Sequence, residues 1–93
     1  MTDKIRTLHP EGKKGVNIDL EKYNLIKQTL LDIIAAKGEI TYQNLNKTAV
    51  SRLTGKFKGS IPWYVITVKL DLEARRIIER IPGSSPHVLK LKK

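Results

Sequence analysis

The most constraining feature of this sequence lies near its C-terminal end, where two short runs alternate between apolar and polar residues. Ile77-Ile78-Glu79-Arg80-Ile81 and His87-Val88-Leu89-Lys90-Leu91-Lys92 both carry the period-two pattern of strands with one buried face. Pro82-Gly83-Ser84-Ser85-Pro86 joins them, and both prolines sit where a turn accepts them. A lone hairpin is marginal in water, so these strands need a second layer to cover their apolar face. The chain has 93 residues, enough for one domain. A domain of that length buries only about two-thirds of its unfolded surface, so the core is small.

The covering layer reads as three helices. Asp19 is placed to cap the first, with Glu21 in its first turn favoured by the helix dipole. Tyr23, Ile26, Leu30, Ile33 and Ile34 follow at helical spacing on one stripe. Gly38 is suited to the left-handed residue that ends the helix. Glu39-Ile40-Thr41 reads as a short strand, and Thr41 as the cap of a second helix over 42–53, with Leu45, Ala49 and Leu53 inward. A polar connection with two glycines follows, anchored by Phe57. Ser60 caps a third helix that has Pro62 in its first turn, ends near Ala74 or Arg75, and turns Ile61, Val65, Val68 and Leu72 inward. Residues 1–18 hold His9-Pro10, Gly12, Lys13-Lys14 and Gly15, and read as an N-terminal arm before a domain over 19–93. Val16-Asn17-Ile18 is a candidate extended segment leading into the first helix.

Charge divides the chain. Residues 1–46 hold seven basic and six acidic residues, a net of +1, whereas 47–93 hold eleven and three, a net of +8. An excess of this kind favours a polyanionic partner. There is no cysteine, which removes disulfides and thiolate metal sites. No apolar run reaches the ~18 residues of a membrane span, and the N-terminus opens no signal-peptide core, so the expected location is cytoplasmic.

The order helix, short strand, helix, helix, hairpin is that of winged helix-turn-helix domains. Leu72-Glu73-Ala74-Arg75-Arg76-Ile77-Ile78-Glu79-Arg80-Ile81-Pro82-Gly83 resembles the passage from recognition helix to wing in bacterial winged-helix regulators. Many of those have glycine where this chain has Arg76. Nearly the whole chain also resembles an uncharacterised family of short bacterial winged-helix-like proteins. The matching stretches are His9-Pro10-Glu11-Gly12 with Gly15-Val16-Asn17-Ile18-Asp19, and Trp63-Tyr64 with Thr67-Val68-Lys69-Leu70-Asp71-Leu72-Glu73-Ala74-Arg75. The resemblance implies an α+β winged-helix fold with a C-terminal β-hairpin wing, and it carries no known activity.

Catalytic signals are weak, and neither an enzyme, a cofactor nor a metal is expected. His9 and His87 lie far apart. Asp71 and Glu73, two residues apart, point about 160° apart on a helix and cannot act as a pair. Glu79 is better suited to meet a neighbouring Arg or Lys. Gly55-Lys56 is no phosphate loop, because Phe57 replaces the Ser or Thr and Val50 stands where the first glycine belongs.

The binding signal is stronger. A winged helix lays its third helix in the major groove and touches phosphates from the wing and the second-helix region. Lys47, Arg52, Lys56 and Lys58 would flank that groove from one side, and Lys90 and Lys92 from the wing, with Lys13 and Lys14 on the arm. About five neutralised phosphates would give log K against log salt a slope near −4.5. The outer face of the third helix carries Trp63, Ile66, Thr67, Leu70 and Ala74, of which only Thr67 and in part Trp63 are polar. Base readout normally uses more polar residues. Trp63 and Thr67 would contact thymine methyl groups. Alternatively Trp63, Ile66 and Leu70 form a face for a second copy or an acidic protein partner, or the arm covers it, with Val16 and Ile18 over Leu70. Duplex DNA is the leading expected partner, with no membrane and no small-molecule substrate evident.

Overall fold

A computed structural model of the chain describes residues 3–83 and 87–92. In chain order the elements are β1 (Lys4–Arg6), β2 (Asn17–Asp19), α1 (Leu20–Lys37), β3 (Glu39–Thr41), α2 (Tyr42–Leu53), α3 (Ile61–Ala74), β4 (Ile78–Arg80) and β5 (Val88–Leu91). The described residues thus form an α+β fold of three helices and two small antiparallel sheets. Of the expected turn between the last two strands, Pro82 and Gly83 are in place, and Ser84, Ser85 and Pro86 lie outside the described residues.

The helices follow from their apolar spacing. Tyr23, Ile26, Leu30, Ile33 and Ile34 of α1 are buried, as are Leu45, Ala49 and Leu53 of α2 and Ile61, Val65, Val68 and Leu72 of α3. Ile78 and Leu89 of the three-stranded sheet complete the same core. Each large aliphatic side chain buried this way contributes roughly 1.5–3 kcal/mol. In that sheet β5 lies between β3 and β4, with Ile40 opposite Leu89, and Glu79 opposite Lys90. The short strand before α2 therefore closes the sheet on the side away from β4.

Helix ends show which local signals acted. The Thr41 hydroxyl accepts from the Asn44 N–H at 3.2 Å, and the Ser60 hydroxyl from the Trp63 N–H at 3.4 Å. Gly38, at φ 78°, ends α1. Asp19 occupies the N-cap position of α1 but its carboxylate makes no cap hydrogen bond. Asp19 is also the last residue of β2, paired with Lys4. The first helical N–H, that of Leu20, donates to the Asp3 carbonyl at 2.9 Å. At the end of α3, Arg76 donates to the Glu73 carbonyl and Ile77 to the Leu72 carbonyl. This is a Schellman closure, and Arg76 sits in its left-handed position at φ 62°.

Residues 4–19 make an antiparallel hairpin, with Ile5 opposite Ile18. Ile18 is buried in the main core and Val16 is exposed. The ten residues between the strands are held at their base by Thr7. Its N–H donates to the Val16 carbonyl at 2.8 Å, and its hydroxyl accepts from the Val16 N–H at 3.0 Å. Gly15 is required here, because a Cβ at that position would lie 1.6 Å from the Thr7 carbonyl oxygen.

Candidate nucleic-acid interface

Residues 40–70 contain no Asp or Glu and five Lys or Arg. This stretch runs from β3 through α2 and its connection into α3. Lys47 and Arg52 stand exposed on α2, and Lys56 and Lys58 on the connection. Among the described residues none of these four makes an ion pair. The expected set on the other side differs in this respect. Glu79 of β4 takes Lys90 at 3.4 Å and Lys92 at 3.5 Å, so those two cations share one carboxylate. Glu79 thus meets neighbouring lysines, as its position in the alternating strand implied. On the arm, Lys13 meets Glu11 at 3.8 Å and Lys14 is exposed.

The outer face of α3 is divided. Trp63 is 44% exposed and Ile66 40%, whereas Thr67, Leu70 and Ala74 are half-buried. The Trp63 ring packs edge-on against Tyr64 at 4.9 Å, and Tyr64 against Phe57 at the same distance. The Lys22 ammonium of α1 lies 5.4 Å from the Tyr64 ring and 5.6 Å from Phe57. Phe57 thereby ties the connection to α1 and α3, and fixes where Lys56 and Lys58 emerge.

The C-terminal half of α3 is fastened to the arm by a buried carboxylate. Asp71 is fully buried. It accepts from the Tyr23 hydroxyl, from the Leu8 N–H at 2.8 Å and from Arg75 Nε at 2.9 Å. Arg75 also donates to the Arg6 carbonyl at 3.4 Å. Burial first, then the hydrogen bond to Asp71, push the Tyr23 phenol up to about 12. The same carboxylate raises the Arg75 pKa. On the opposite flank of α3, Pro10 and Glu11 of the arm stand beside Glu73 around one groove. The arm therefore straddles the last turns of α3, where Leu70 and Ala74 are half-buried, and leaves the first turns open.

Glu73 forms a second buried cluster, apart from Asp71 as their spacing required. It meets Lys69 at 3.2 Å and Arg80 at 2.7 Å. Lys69 also lies 5.2 Å from the Tyr42 ring. Burial lowers the Lys69 pKa and Glu73 opposes that shift. Asp71 and Lys69, on the flanks of α3, are both buried, because α1 and the start of α2 close over those flanks. Both clusters hold elements together and neither presents a nucleophile and base. Among the described residues no group of three His, Asp or Glu side chains could hold a metal ion. No helix of the described residues is long and apolar enough to cross a membrane.

The described residues form a small α+β domain on which Lys47, Arg52, Lys56 and Lys58 stand exposed without an ion pair. The model of DUF6958, a family of unknown function, matches residues 4–89, and the chain belongs to that family. No curated protein matches the sequence.

Proposed function

We propose that the chain is a winged-helix protein that binds duplex DNA, largely through phosphates, in the manner of a small bacterial transcriptional regulator. In this reading α2 and α3 are the helix-turn-helix, and β4 and β5 are the wing. The observation that carries it is the acid-free stretch 40–70, with Lys47, Arg52, Lys56 and Lys58 exposed and unpaired. The N-terminal residues of a recognition helix are the ones that meet base edges, and the first turns of α3 are the part the arm leaves open. Trp63 and Thr67 there offer methyl and ring contacts, which favours modest sequence preference. Lys90 and Lys92 add less than their number implies, because Glu79 holds both. The reading places the protein in the cytoplasm, with no catalytic activity and no cofactor.

Titration of a labelled duplex at several salt concentrations tests it. Four neutralised phosphates give log K against log salt a slope of about −3.6. Removing Lys56 and Lys58 together should flatten that slope by about 1.8. No binding at ~50 mM salt would overturn the reading.

A second reading is favoured by the exposure of Trp63 and Ile66. The apolar first turns of α3, with Leu70 beside them, would dock a second copy of the chain or an acidic protein. Trp63→Ala then abolishes association while thermal unfolding stays cooperative. Sedimentation of the wild-type and variant chains, with and without duplex, separates the two readings.

A further inference from the structure

The turn from α3 into β4 holds a residue in a conformation that its side chain disfavours. Arg76 has φ 62° at a position where helices commonly end in glycine. Glycine would make the same closure without strain. An outlier of this kind points from the backbone to a role for the side chain. The Arg76 side chain is exposed and makes no ion pair or side-chain hydrogen bond among the described residues.

Arg76 borders a groove of about 450 Å³. Pro10 and Glu11 of the arm form one side, Glu73 lies on α3, and Arg80 and Lys92 stand on the sheet side. The carboxylates around the groove are already neutralised. Glu11 meets Lys13, Glu73 meets Lys69 and Arg80, and Glu79 meets Lys90 and Lys92. The lining itself holds three carboxylates and three cations, and Arg76 is the one of those cations with no ion pair among the described residues.

We propose that this groove binds a phosphate group, with Arg76 as its main contact and Arg80 and Lys92 beside it. A guanidinium presents a planar fork of donors that matches phosphate oxygens two at a time. Each carboxylate of the lining has a cation beyond the groove, Lys13, Lys69 or Lys90, so an anion held by Arg76 meets no unpaired carboxylate. The phosphate comes either from a small molecule, for which the arm forms a wall, or from a nucleic-acid backbone passing the sheet edge. The proposal does not depend on the cations of α2, because none of them lines this groove.

Inorganic pyrophosphate is the probe, titrated into the full chain and followed by amide chemical shifts. The shifts should centre on Arg76, Ile78, Arg80 and Lys92. Arg76→Gly and Arg76→Asn both suit the left-handed backbone, so both variants keep the fold. Each should weaken pyrophosphate binding by about tenfold or more, with no fall in the melting temperature. A duplex titration with the same variants separates the sources. Loss of pyrophosphate affinity with unchanged duplex affinity assigns the site to a small molecule. A salt slope shallower by about one unit assigns it to a backbone phosphate. If the wild-type chain binds no duplex, the proposal for α2 fails and the pyrophosphate result still decides this one. Shifts centred on α2, or affinity within twofold of wild type in both variants, would overturn it.

Discussion

Replacing Asp71 with asparagine separates the contribution of one buried charge from that of side-chain shape. Asp71 is fully buried and serves three donors on three segments: the Tyr23 hydroxyl, the Leu8 N–H and Arg75 Nε. An amide of the same shape keeps one acceptor oxygen, so no more than part of this set survives. Hydrogen bonds to a charged group contribute about 1.5–3 kcal/mol each. Removing one partner of a buried ion pair costs about 3–5 kcal/mol. The Arg75 side chain is 34% exposed and recovers hydration, which discounts its share. The expected loss is therefore about 3 kcal/mol, a large part of the ~5–15 kcal/mol stability of a domain. At roughly 4–8 °C per kcal/mol for a chain of this size, the melting temperature falls by about 12–24 °C. Urea denaturation followed by circular dichroism measures the loss, and amide exchange at Leu8 reports whether the arm has let go. Tyr23→Phe removes one donor and should cost about 1–2 kcal/mol. The double variant should lose less than the two single losses combined, by at least ~0.5 kcal/mol. A loss below about 1 kcal/mol for Asp71→Asn, or strict additivity with Tyr23→Phe, would refute the reasoning that Asp71 joins these segments.

Three further outcomes follow from the same geometry. Tyr23 has its folded pKa raised from 10.0 to about 12, so its contribution is fully present below pH 10 and is lost as pH rises from 10 to 12; urea midpoints of wild type and Tyr23→Phe should converge across that window and run parallel below it. Gly15→Ala drives a Cβ into the Thr7 carbonyl, so the arm hairpin opens at a cost of about 1–3 kcal/mol, seen as lost amide protection at Thr7 and Val16. Glu73→Gln should destabilise more than Lys69→Met in paired denaturation curves, because the first leaves a buried ammonium with no carboxylate, whereas the second leaves Glu73 paired with Arg80.

The helices were legible because their apolar residues repeat at helical spacing, and burial of one face is what forms them. The caps Thr41 and Ser60 were legible for the same local reason. Asp71 was not. Its partners Tyr23 and Leu8 lie 48 and 63 residues away, and one of them is a backbone N–H that leaves no mark in composition. Tyr23 read as one more apolar residue of the α1 stripe, since nothing in spacing shows where its hydroxyl points. The hairpin of residues 4–19 was half legible. Its second strand follows from Val16-Asn17-Ile18, but its first strand is short and mostly exposed, and the loop between them carries no alternation. Asp19 carries the usual capping side chain and holds the N-cap position, yet its sequence context does not show that the carboxylate makes no cap hydrogen bond. Arg76 did leave a trace, as an arginine where glycine was expected, but the left-handed backbone beneath it is visible only in three dimensions.

The third helix explains why its sequence is apolar on nearly every side. Its inner stripe fills the core, and the arm, held by Asp71, straddles its last turns. Only the first turns remain open, and they are reached directly from the connection that carries Lys56 and Lys58. Charge and apolar exposure therefore compete for the same end of one helix. Apolar patches that mark protein interfaces exceed roughly 300–600 Å² on a domain. Trp63 and Ile66 are each less than half exposed, and Tyr64 already takes one edge of the indole. By contrast, Lys56 and Lys58 on that connection are exposed and make no ion pair among the described residues. This unpaired charge supports the proposed polyanionic partner over an apolar one. It also makes salt concentration, rather than the Trp63 side chain, the variable to which association should respond most steeply.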